Sequence, residues 1–481
     1  MQNIERPRTA LALIAVVSVS GLAIALARAG IRTSALFLVL CCLVSVYLLI
    51  MASRRRDSSA HLYWSSSYIT FVCLLWFVSP ELRRVDDFFN GWDDRSFYAI
   101  TPLTCSLCGV LGWRLGQLKR QPTVFIALLL PSMIIPYVTG VFQAGFMPAT
   151  FALGNWAAPI VIAIYLATNA HAYPAFYGSL RRIFFLAAAV MSAYAVYQFI
   201  RPPAWDLYWI ENAPITSVGL PVPGGFRVFS TMNSPMIFGP VLASLIVFIV
   251  AERHKLKVPL LFLTTAALLL TSVRAAWGGL AIGVFLFVAF RLRKDPASIW
   301  KPLAAALLGA LSFVAITAYT PYGAKLEERL DSIGSLTQDT SFNERLDVYE
   351  EGIKRAQSSL GGEGLGTIGT AQALSDSTDA DTAFDSGFLQ IPISLGWISG
   401  IWYALFLALA LSHLSRGTTG SGDAALACYL SIILSMFTQM IFSNRLSGSA
   451  GFFLFLFLGL LACAKIHKAT ASSLSPEELE Q

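Results

Sequence analysis

Apolar runs of roughly 20 residues recur along nearly the whole chain, separated by polar connections. An α-helix needs about 20 such residues to cross the hydrocarbon core of a bilayer. The pattern therefore predicts an all-α polytopic membrane protein with about 14 transmembrane helices, within a range of 12–14. The predicted spans are residues 9–27, 34–52, 63–79, 98–113, 123–141, 147–168, 183–200, 234–251, 258–273, 275–290, 302–320, 387–412, 424–442 and 449–464.

Composition supports lipid as the solvent for much of the surface. The chain has 481 residues, of which 56% are hydrophobic and 13% charged, whereas soluble domains carry about 25% charged residues. The first run follows Arg6 and Arg8 as a signal peptide would, but it exceeds the usual hydrophobic region of about 7–15 residues. We therefore expect a retained first helix.

The basic residues alternate from one connection to the next. Twenty of the 34 Lys and Arg residues fall in every second gap, starting with the N-terminal segment. Because short cytoplasmic loops are enriched in Lys and Arg, both termini are predicted to be cytoplasmic. The positive charge then lies along the inner membrane surface, where anionic lipid attracts it, and nucleic acid is not an expected partner.

This orientation places the longest polar connections on the outer face. The predicted domains are an N-terminal bundle (1–200), an outer loop (201–233), core helices (234–320), a large outer loop (321–386), C-terminal helices (387–466) and a cytoplasmic tail (467–481). Within the large loop, Ser341 to Ser359 reads as an amphipathic helix. Ser341 and Glu344 form a capping box there, and the apolar stripe is Phe342, Leu346, Tyr349, Ile353 and Ala356.

Three arginines of this outer face are candidate ligands for phosphate. Arg274 lies in the tight connection between two spans, where it either reaches the headgroups or faces a polar cavity. Arg345 lies in the first turn of the amphipathic helix, where a cation opposes the helix dipole, although a solvated or ion-paired arginine is an equal alternative. Arg227, shortly before the span at 234–251, either joins them or faces water.

One carboxylate could supply acid–base chemistry. Asp385 lies where the large loop re-enters the membrane, and it is either a helix N-cap or a base that takes a proton from a hydroxyl. Arginines suit bidentate contact with phosphate. Transfer of a sugar from a lipid pyrophosphate needs such a clamp beside a base. The glycine-rich stretch 361–366 lacks the Lys-Ser/Thr of a phosphate loop, and we expect a flexible turn there.

These segments resemble, in order, the O-antigen ligase and polysaccharide polymerase superfamily of bacterial inner membranes. The matching pieces are Arg227-Val-Phe-Ser-Thr-Met-Asn-Ser-Pro235, Thr271-Ser-Val-Arg274, Asn343-Glu-Arg345 with Gly361-Gly-Glu-Gly-Leu-Gly366, and Asp385-Ser-Gly-Phe-Leu389 with Leu395-Gly-Trp-Ile-Ser-Gly400. The resemblance covers roughly residues 225–400. Each piece alone has low specificity, and their shared order around one outer loop carries the resemblance.

The resemblance implies a GT-C-like membrane architecture and an inverting glycosyltransferase without metal or other cofactor. Glycan would move from undecaprenyl pyrophosphate to an acceptor hydroxyl at the periplasmic face. Ligases of the family typically carry His at the loop exit, where this chain has Asp385. This departure favours the polymerase branch and leaves the identity of the base open.

The resulting prediction is a polymerase of exopolysaccharide or O-antigen repeat units. Arg274, Arg345 and Arg227 would hold the pyrophosphate and Asp385 would act on the acceptor. Trp205 and Trp209 would stack on sugars, or form an interfacial aromatic belt. A chain-length regulator and a flippase are partners implied by the resemblance alone. The alternatives are an O-antigen ligase and, from another class, a lipid-linked glycan transporter. The nearly charge-free centres of the spans disfavour transport, and no filter-like motif supports a channel.

Overall fold

The computed structural model describes residues 6–54, 59–115, 121–213, 218–291, 340–374, 386–418 and 422–473. Within these ranges the regular structure is helical, apart from an isolated bridge between Gly219 and Phe226. The helices are α1 (Arg6–Arg28), α2 (Ser34–Arg54), α3 (Ser59–Asn90), α4 (Thr101–Leu107), α5 (Gln121–Gln143), α6 (Phe146–Thr168), α7 (Tyr173–Ile200), α8 (Ala204–Asn212), α9 (Pro235–Ala251), α10 (Lys257–Leu270), α11 (Arg274–Arg291), α12 (Thr340–Ser358), α13 (Gly387–Gln390), α14 (Gly396–Ser415), α15 (Ala424–Gln439) and α16 (Gly448–Ser473).

The all-α polytopic prediction is confirmed. In the described ranges, eight helical segments are long and apolar enough to cross a membrane: Thr9–Arg28, Ser34–Arg54, Ser59–Asn90, Phe146–Thr168, Ala170–Ile200, Arg274–Arg291, Gly387–Ser415 and Gly448–Ser472. Shorter apolar helices cover Thr101–Gly112, Leu128–Gln143, Pro235–Ala251, Lys257–Leu270 and Ala424–Gln439. Each predicted span coincides with one of these, except span 302–320, which lies outside the described residues.

Helices α3 and α16 form the centre of the bundle. Side chains from Phe452 to Phe457 are all at most 1% exposed, on every face of α16. A helix that is apolar all round is stable only when neighbours cover all its faces. Helices α1, α2 and α11 bury a third or less of their apolar segments against the described residues, so they lie at the periphery.

The segment predicted as the fourth span crosses the bundle with only short helices. Ser79 donates to the carbonyl oxygen of Tyr98 at 2.5 Å, while Arg114 lies 3.2 Å from the ring of His61. Ser79 and His61 are 18 residues apart on α3, which corresponds to about 27 Å of helix. This depth is close to the hydrocarbon thickness of about 30 Å. Helix α4, its 3₁₀ extension Cys108–Gly112 and short non-helical flanks therefore span this depth.

Several boundaries differ from the predictions; α7, for example, begins at Tyr173 and not at residue 183. Helix α3 continues through Pro80 to Asn90, beyond the predicted end at residue 79, because its charged final turns are buried by partners within the protein. The predicted loop 201–233 contains α8. The last helix continues to Ser473, so the first residues of the predicted tail 467–481 extend this helix.

The bundle has two chemically different ends. We call the site end the one where α3 ends at Asn90 and α16 begins at Gly448, and the basic end the opposite one. At the basic end, Arg181 pairs with Glu252 at 2.8 Å, and Lys465 donates to the carbonyl oxygen of Arg416 at 2.7 Å. Connections predicted to be cytoplasmic thus gather at one end. Which end faces the cytoplasm stays a prediction.

Candidate active site

The glycine-rich stretch 361–366 is packed tightly at the site end. The amide of Leu365 donates to the carbonyl oxygen of Pro136 in α5 at 2.9 Å. A Cβ on Gly364 would lie 2.4 Å from the amide nitrogen of Gly140, and one on Gly366 would lie 2.6 Å from the carbonyl carbon of Pro148. The expected turn after the amphipathic helix is present, but it is packed and not free in solvent: these glycines let the loop backbone lie directly on the ends of α5 and α6.

The same glycine-rich region also forms hydrogen bonds with an interrupted helix that follows the large loop. Between α13 and α14 the chain makes one π-helical turn, Ile391–Leu395, and Gly396 has a φ of +75°. Two backbone groups beside this turn form hydrogen bonds with residues 360–363. The carbonyl oxygen of Ile393 accepts from the Glu363 amide at 2.8 Å, and the Trp397 amide donates to the carbonyl oxygen of Leu360 at 3.0 Å. Single π turns in α-helices occur frequently at functional sites.

Entry into this broken helix begins at Ser386, which is the N-cap of α13 and makes no side-chain capping hydrogen bond. The N-cap interpretation of Asp385 is therefore wrong by one position, and Asp385 itself lies outside the described residues. The next residue, Gly387, donates to the carbonyl oxygen of Met440 at 2.9 Å. The segment leading from Asp385 is thus attached to the connection between α15 and α16.

Helix α12 confirms the predicted amphipathic helix, with bounds one residue earlier than expected. Ala356 is buried, and its carbonyl accepts from the Trp397 indole at 2.7 Å. Ile353 is 47% exposed, so its assignment to the packed stripe is wrong. Arg355 holds Glu363 through two hydrogen bonds of 2.9 and 2.7 Å. The side chain of Arg345 lies outside the described part of this helix.

Arg274 begins α11 directly after a strained turn. Ser272 has a φ of +52°, which is uncommon for a residue other than glycine. The Thr271 hydroxyl donates to Leu268 at 2.7 Å, and the Trp277 indole donates to the same carbonyl at 3.1 Å. Backbone strain of this kind is costly and clusters at functional sites. Arg274 is half-buried, and its Nη1 atom is fully covered.

The segment that carries Arg227 lies against the end of α10. The amide of Arg227 donates to Val218 at 2.8 Å, and the amide of Val228 donates to Leu270 at 3.4 Å. Leu270 is four residues before Arg274. The structure therefore brings the backbone segments of Arg227 and Arg274 together, whereas their clustering with Arg345 on the outer face stays a prediction.

A polar cavity of about 270 Å³ opens beside these segments. It is lined by Ala152, Asn155, Trp156, Ile237, Leu365, Gly366, Ile368, Ala371, Gln390, Ser394, Ser443, Asn444, Arg445, Ser447, Gly448, Ser449 and Ala450. The Oε1 atom of Gln390 is covered and accepts no hydrogen bond from the described part of the chain. Asparagine, glutamine and serine side chains supply both donors and acceptors, which suits a ligand rich in hydroxyl groups.

Arg445 is the charged residue in the described lining of this cavity. It is 1% exposed, and its Nη1 donates to the carbonyl oxygen of Met236 at 2.9 Å. One turn further along α9, Gly239 packs on Val273, the neighbour of Arg274. Contacts through α9 therefore connect the cavity arginine to the turn that carries Arg274.

A buried ionic network holds the connection before α9, which also carries Arg227. Arg84 is fully buried and pairs with Glu81 and with Asp206, whose Oδ1 lies 2.8 Å from Nε. It also donates to the carbonyl oxygens of Ser230 at 2.5 Å and of Met232. This network ties α3, α8 and residues 230–232 into one unit, on the segment that carries Arg227.

The two tryptophans proposed as sugar platforms belong to this supporting structure. The Trp205 indole donates to Glu81 at 2.8 Å. Trp209 is 4% exposed, with the Trp92 ring 5.0 Å from its own centroid and the Arg83 guanidinium over its ring at 5.0 Å. The structure contradicts a stacking role for Trp209, because its ring is already covered by protein.

Part of the cavity lining, between Leu365 and Ser394, lies in a stretch of the sequence that matches a known protein family. Residues 259–404 match the family model described as O-Antigen ligase. This stretch, called the O-antigen ligase stretch below, is therefore similar to the O-antigen ligase family. A comparison with curated proteins finds no match. The match confirms the superfamily resemblance and indicates a function of the O-antigen ligase or polymerase type, which is glycosyltransferase-like.

The O-antigen ligase stretch contains Arg274, Arg345 and Asp385 but not the rest of the candidate site. Arg227 precedes it, Asn155 lies on α6, and Arg445 lies in the connection between α15 and α16. Sequence reasoning missed Arg445, although the signal was present: it is an arginine in a short connection between two apolar runs, like Arg274. Asn155 gave no signal, because one amide within an apolar span is usually a packing residue.

Proposed function

We propose that the protein polymerises repeat units of an exopolysaccharide or O-antigen, taking glycan from an undecaprenyl-pyrophosphate donor at the periplasmic face. One observation carries the proposal. Part of the O-antigen ligase stretch lines a polar cavity that also contains the buried Arg445, at the end of the bundle where the Arg227 and Arg274 segments meet. A glycan needs polar side chains that form hydrogen bonds with its hydroxyl groups, and a pyrophosphate needs cations.

The proposed reaction is an inverting transfer without metal. The acceptor hydroxyl oxygen attacks the anomeric carbon of the donor, the bond from that carbon to the pyrophosphate oxygen breaks, and Asp385 takes the hydroxyl proton. Arg274, Arg345 and Arg227 stabilise the charge that develops on the departing lipid pyrophosphate. Arg445 would hold the glycan or the pyrophosphate in the cavity. The acceptor in a polymerase is the terminal sugar of another repeat unit.

The second candidate is a glycan ligase, which the description of the matching family favours. The choice of polymerase rests on Asp385, which occupies the position where ligases of the family typically carry histidine. A lipid-linked glycan transporter is the rival of another class. The break at Ile391–Gly396 lies in the first third of the helical segment Gly387–Ser415, whereas broken helices of transporters lie near the bilayer midplane.

The test compares Arg274→Ala, Arg345→Ala and Asp385→Ala in cells that lack the native chain, with membrane levels checked by immunoblot. Arg32→Ala is the matched control, since Arg32 is a surface arginine of the site end that pairs with Asp93. We expect the three variants to accumulate single lipid-linked repeat units and to lose long chains, with Arg32→Ala unchanged. Long chains that persist on the carrier without reaching an acceptor would identify a ligase. Parental behaviour of all three variants would refute the site.

A further inference from the structure

A second cavity of about 380 Å³ lies at the basic end, far from the candidate active site. Its volume is within the range of about 300–1,000 Å³ that is usual for ligand sites. The lining residues come from the ends of α7, α9, α10, α11 and α15, and they are Tyr177, Arg181, Val250, Ala251, Glu252, Arg253, Lys257, Phe287, Arg291, Ala424 and Ala425. Four of them are cationic and one is acidic.

The acidic residue is already neutralised inside this lining. Glu252 accepts from the Tyr177 hydroxyl at 2.6 Å through one oxygen and from Arg181 Nε at 2.8 Å through the other. Arg181 also donates to the carbonyl oxygen of Arg253 at 2.9 Å. With Glu252 and Arg181 paired, the charge that remains in the cavity is that of Arg253, Lys257 and Arg291.

Two of these three cations are held in place by backbone carbonyls. Lys257 donates to Val250 at 2.6 Å, which holds it at the end of α9, and Arg291 donates to Gly422 at 2.5 Å, just before α15. An ammonium group has three donor hydrogens and a guanidinium has five. Among the described residues, each side chain is therefore positioned by one hydrogen bond and has further donors for a ligand.

Three like charges around one cavity repel each other, and an anion that binds between them removes this repulsion. The neighbouring carboxylate, Asp423, caps α15 by accepting from Ala425 and Leu426, and it pairs with Lys468. Asp423 is thus occupied elsewhere. The apolar part of the lining, Val250, Ala251 and Phe287, belongs to the last turns of apolar helices. Such helices end where the lipid headgroups begin.

We propose that this cavity binds a phosphate group of net negative charge, and that the group is the headgroup of an anionic phospholipid. Basic pockets between transmembrane helices are a recurrent way to bind such headgroups. The site is separate from the glycan-transfer site, and the proposal does not depend on the reaction at the other end. Its expected effect is to hold α9, α10, α11 and α15 together from the basic end.

The test uses the full chain purified in detergent, with thermal unfolding and native mass spectrometry as readouts. Phosphatidylglycerol should raise the unfolding midpoint and remain bound, whereas phosphatidylcholine should do neither. The double variant Lys257→Gln/Arg291→Gln should bind phosphatidylglycerol about 25-fold more weakly, taking roughly fivefold per cation. Arg253→Gln changes an exposed side chain, so it should fold normally and bind about fivefold more weakly.

Arg54→Gln is the matched control, because Arg54 is an exposed cation at the end of α2, predicted to lie at the same membrane surface. It should bind phosphatidylglycerol as the parent does. Equal binding by the parent, the double variant and Arg253→Gln would overturn the site. Inorganic phosphate is the remaining probe. If it displaces phosphatidylglycerol at millimolar concentration, the phosphate-binding chemistry stands but the lipid assignment falls. If inorganic phosphate does not displace phosphatidylglycerol, the binding site and its assignment to a lipid headgroup both stand.

Discussion

Replacing Arg84 should destabilise the protein far more than replacing any surface arginine. Arg84→Ala removes a fully buried cation and leaves Glu81 and Asp206 facing each other without it. Breaking a buried ion pair by removing one partner costs about 3–5 kcal/mol, because the remaining charge stays buried and uncompensated. The carbonyl groups of Ser230 and Met232 lose their donor as well. We therefore expect the upper part of this range.

The control is Arg32→Ala, which removes an ion pair of similar length. Arg32 and Asp93 are 2.8 Å apart, with side chains 42% and 23% exposed. An exposed pair of this kind contributes about 0–1 kcal/mol. Unfolding of the purified protein by denaturant in mixed micelles should separate the two variants by about 3 kcal/mol or more. A loss below about 1 kcal/mol for Arg84→Ala would show that the buried network is not the structural support inferred here.

Two further substitutions test the site more directly. A Cβ on Gly140 would lie 2.0 Å from the carbonyl oxygen of Leu365, whereas one on Gly154 meets nothing within 4 Å. Gly140→Ala should therefore displace the 361–366 loop, lower the unfolding free energy by about 1–3 kcal/mol and reduce polymer formation on gels. Gly154→Ala is the control and should leave the unfolding free energy and polymer formation unchanged. Arg445→Gln should lower polymer formation at least tenfold at normal membrane levels, because a neutral amide replaces the cavity cation; full activity would exclude Arg445 from substrate binding.

The helical layout could be predicted because each crossing needs its own apolar run. The tight connection at Thr271–Arg274 and the amphipathic helix α12 were visible for the same reason: local periodicity determined them. The predictions failed where distant residues decide the local conformation. Residues 80–90 look like a polar loop. They can continue the helix because Asp206 pairs with the charge of Arg84 and the carbonyl oxygen of Ser230 accepts a hydrogen bond from it.

Of the candidate site, the sequence predicted only some of the charged residues. Arginines near span ends signal a polar environment, and this identified Arg227 and Arg274. The same reasoning applied to Arg445, but nothing local shows that it reaches Met236, which lies 209 residues earlier in the chain. Trp209 illustrates the opposite case. An aromatic residue in an outer loop looks available for sugar, and only the packing of Trp92 and Arg83 reveals that it is not.

The match over residues 259–404 does not describe a self-sufficient unit. Its glycine loop lies on Gly140 and Pro148, and its re-entry segment is attached to Met440, all outside the matched stretch. The cavity likewise takes Asn155 from α6 and Arg445 from the connection before α16. The stretch that carries the proposed catalytic residues therefore depends on the flanking helices for its geometry. Changes in those helices, such as at Asn155, should alter which glycan is accepted while leaving the proposed arginine and aspartate chemistry in place.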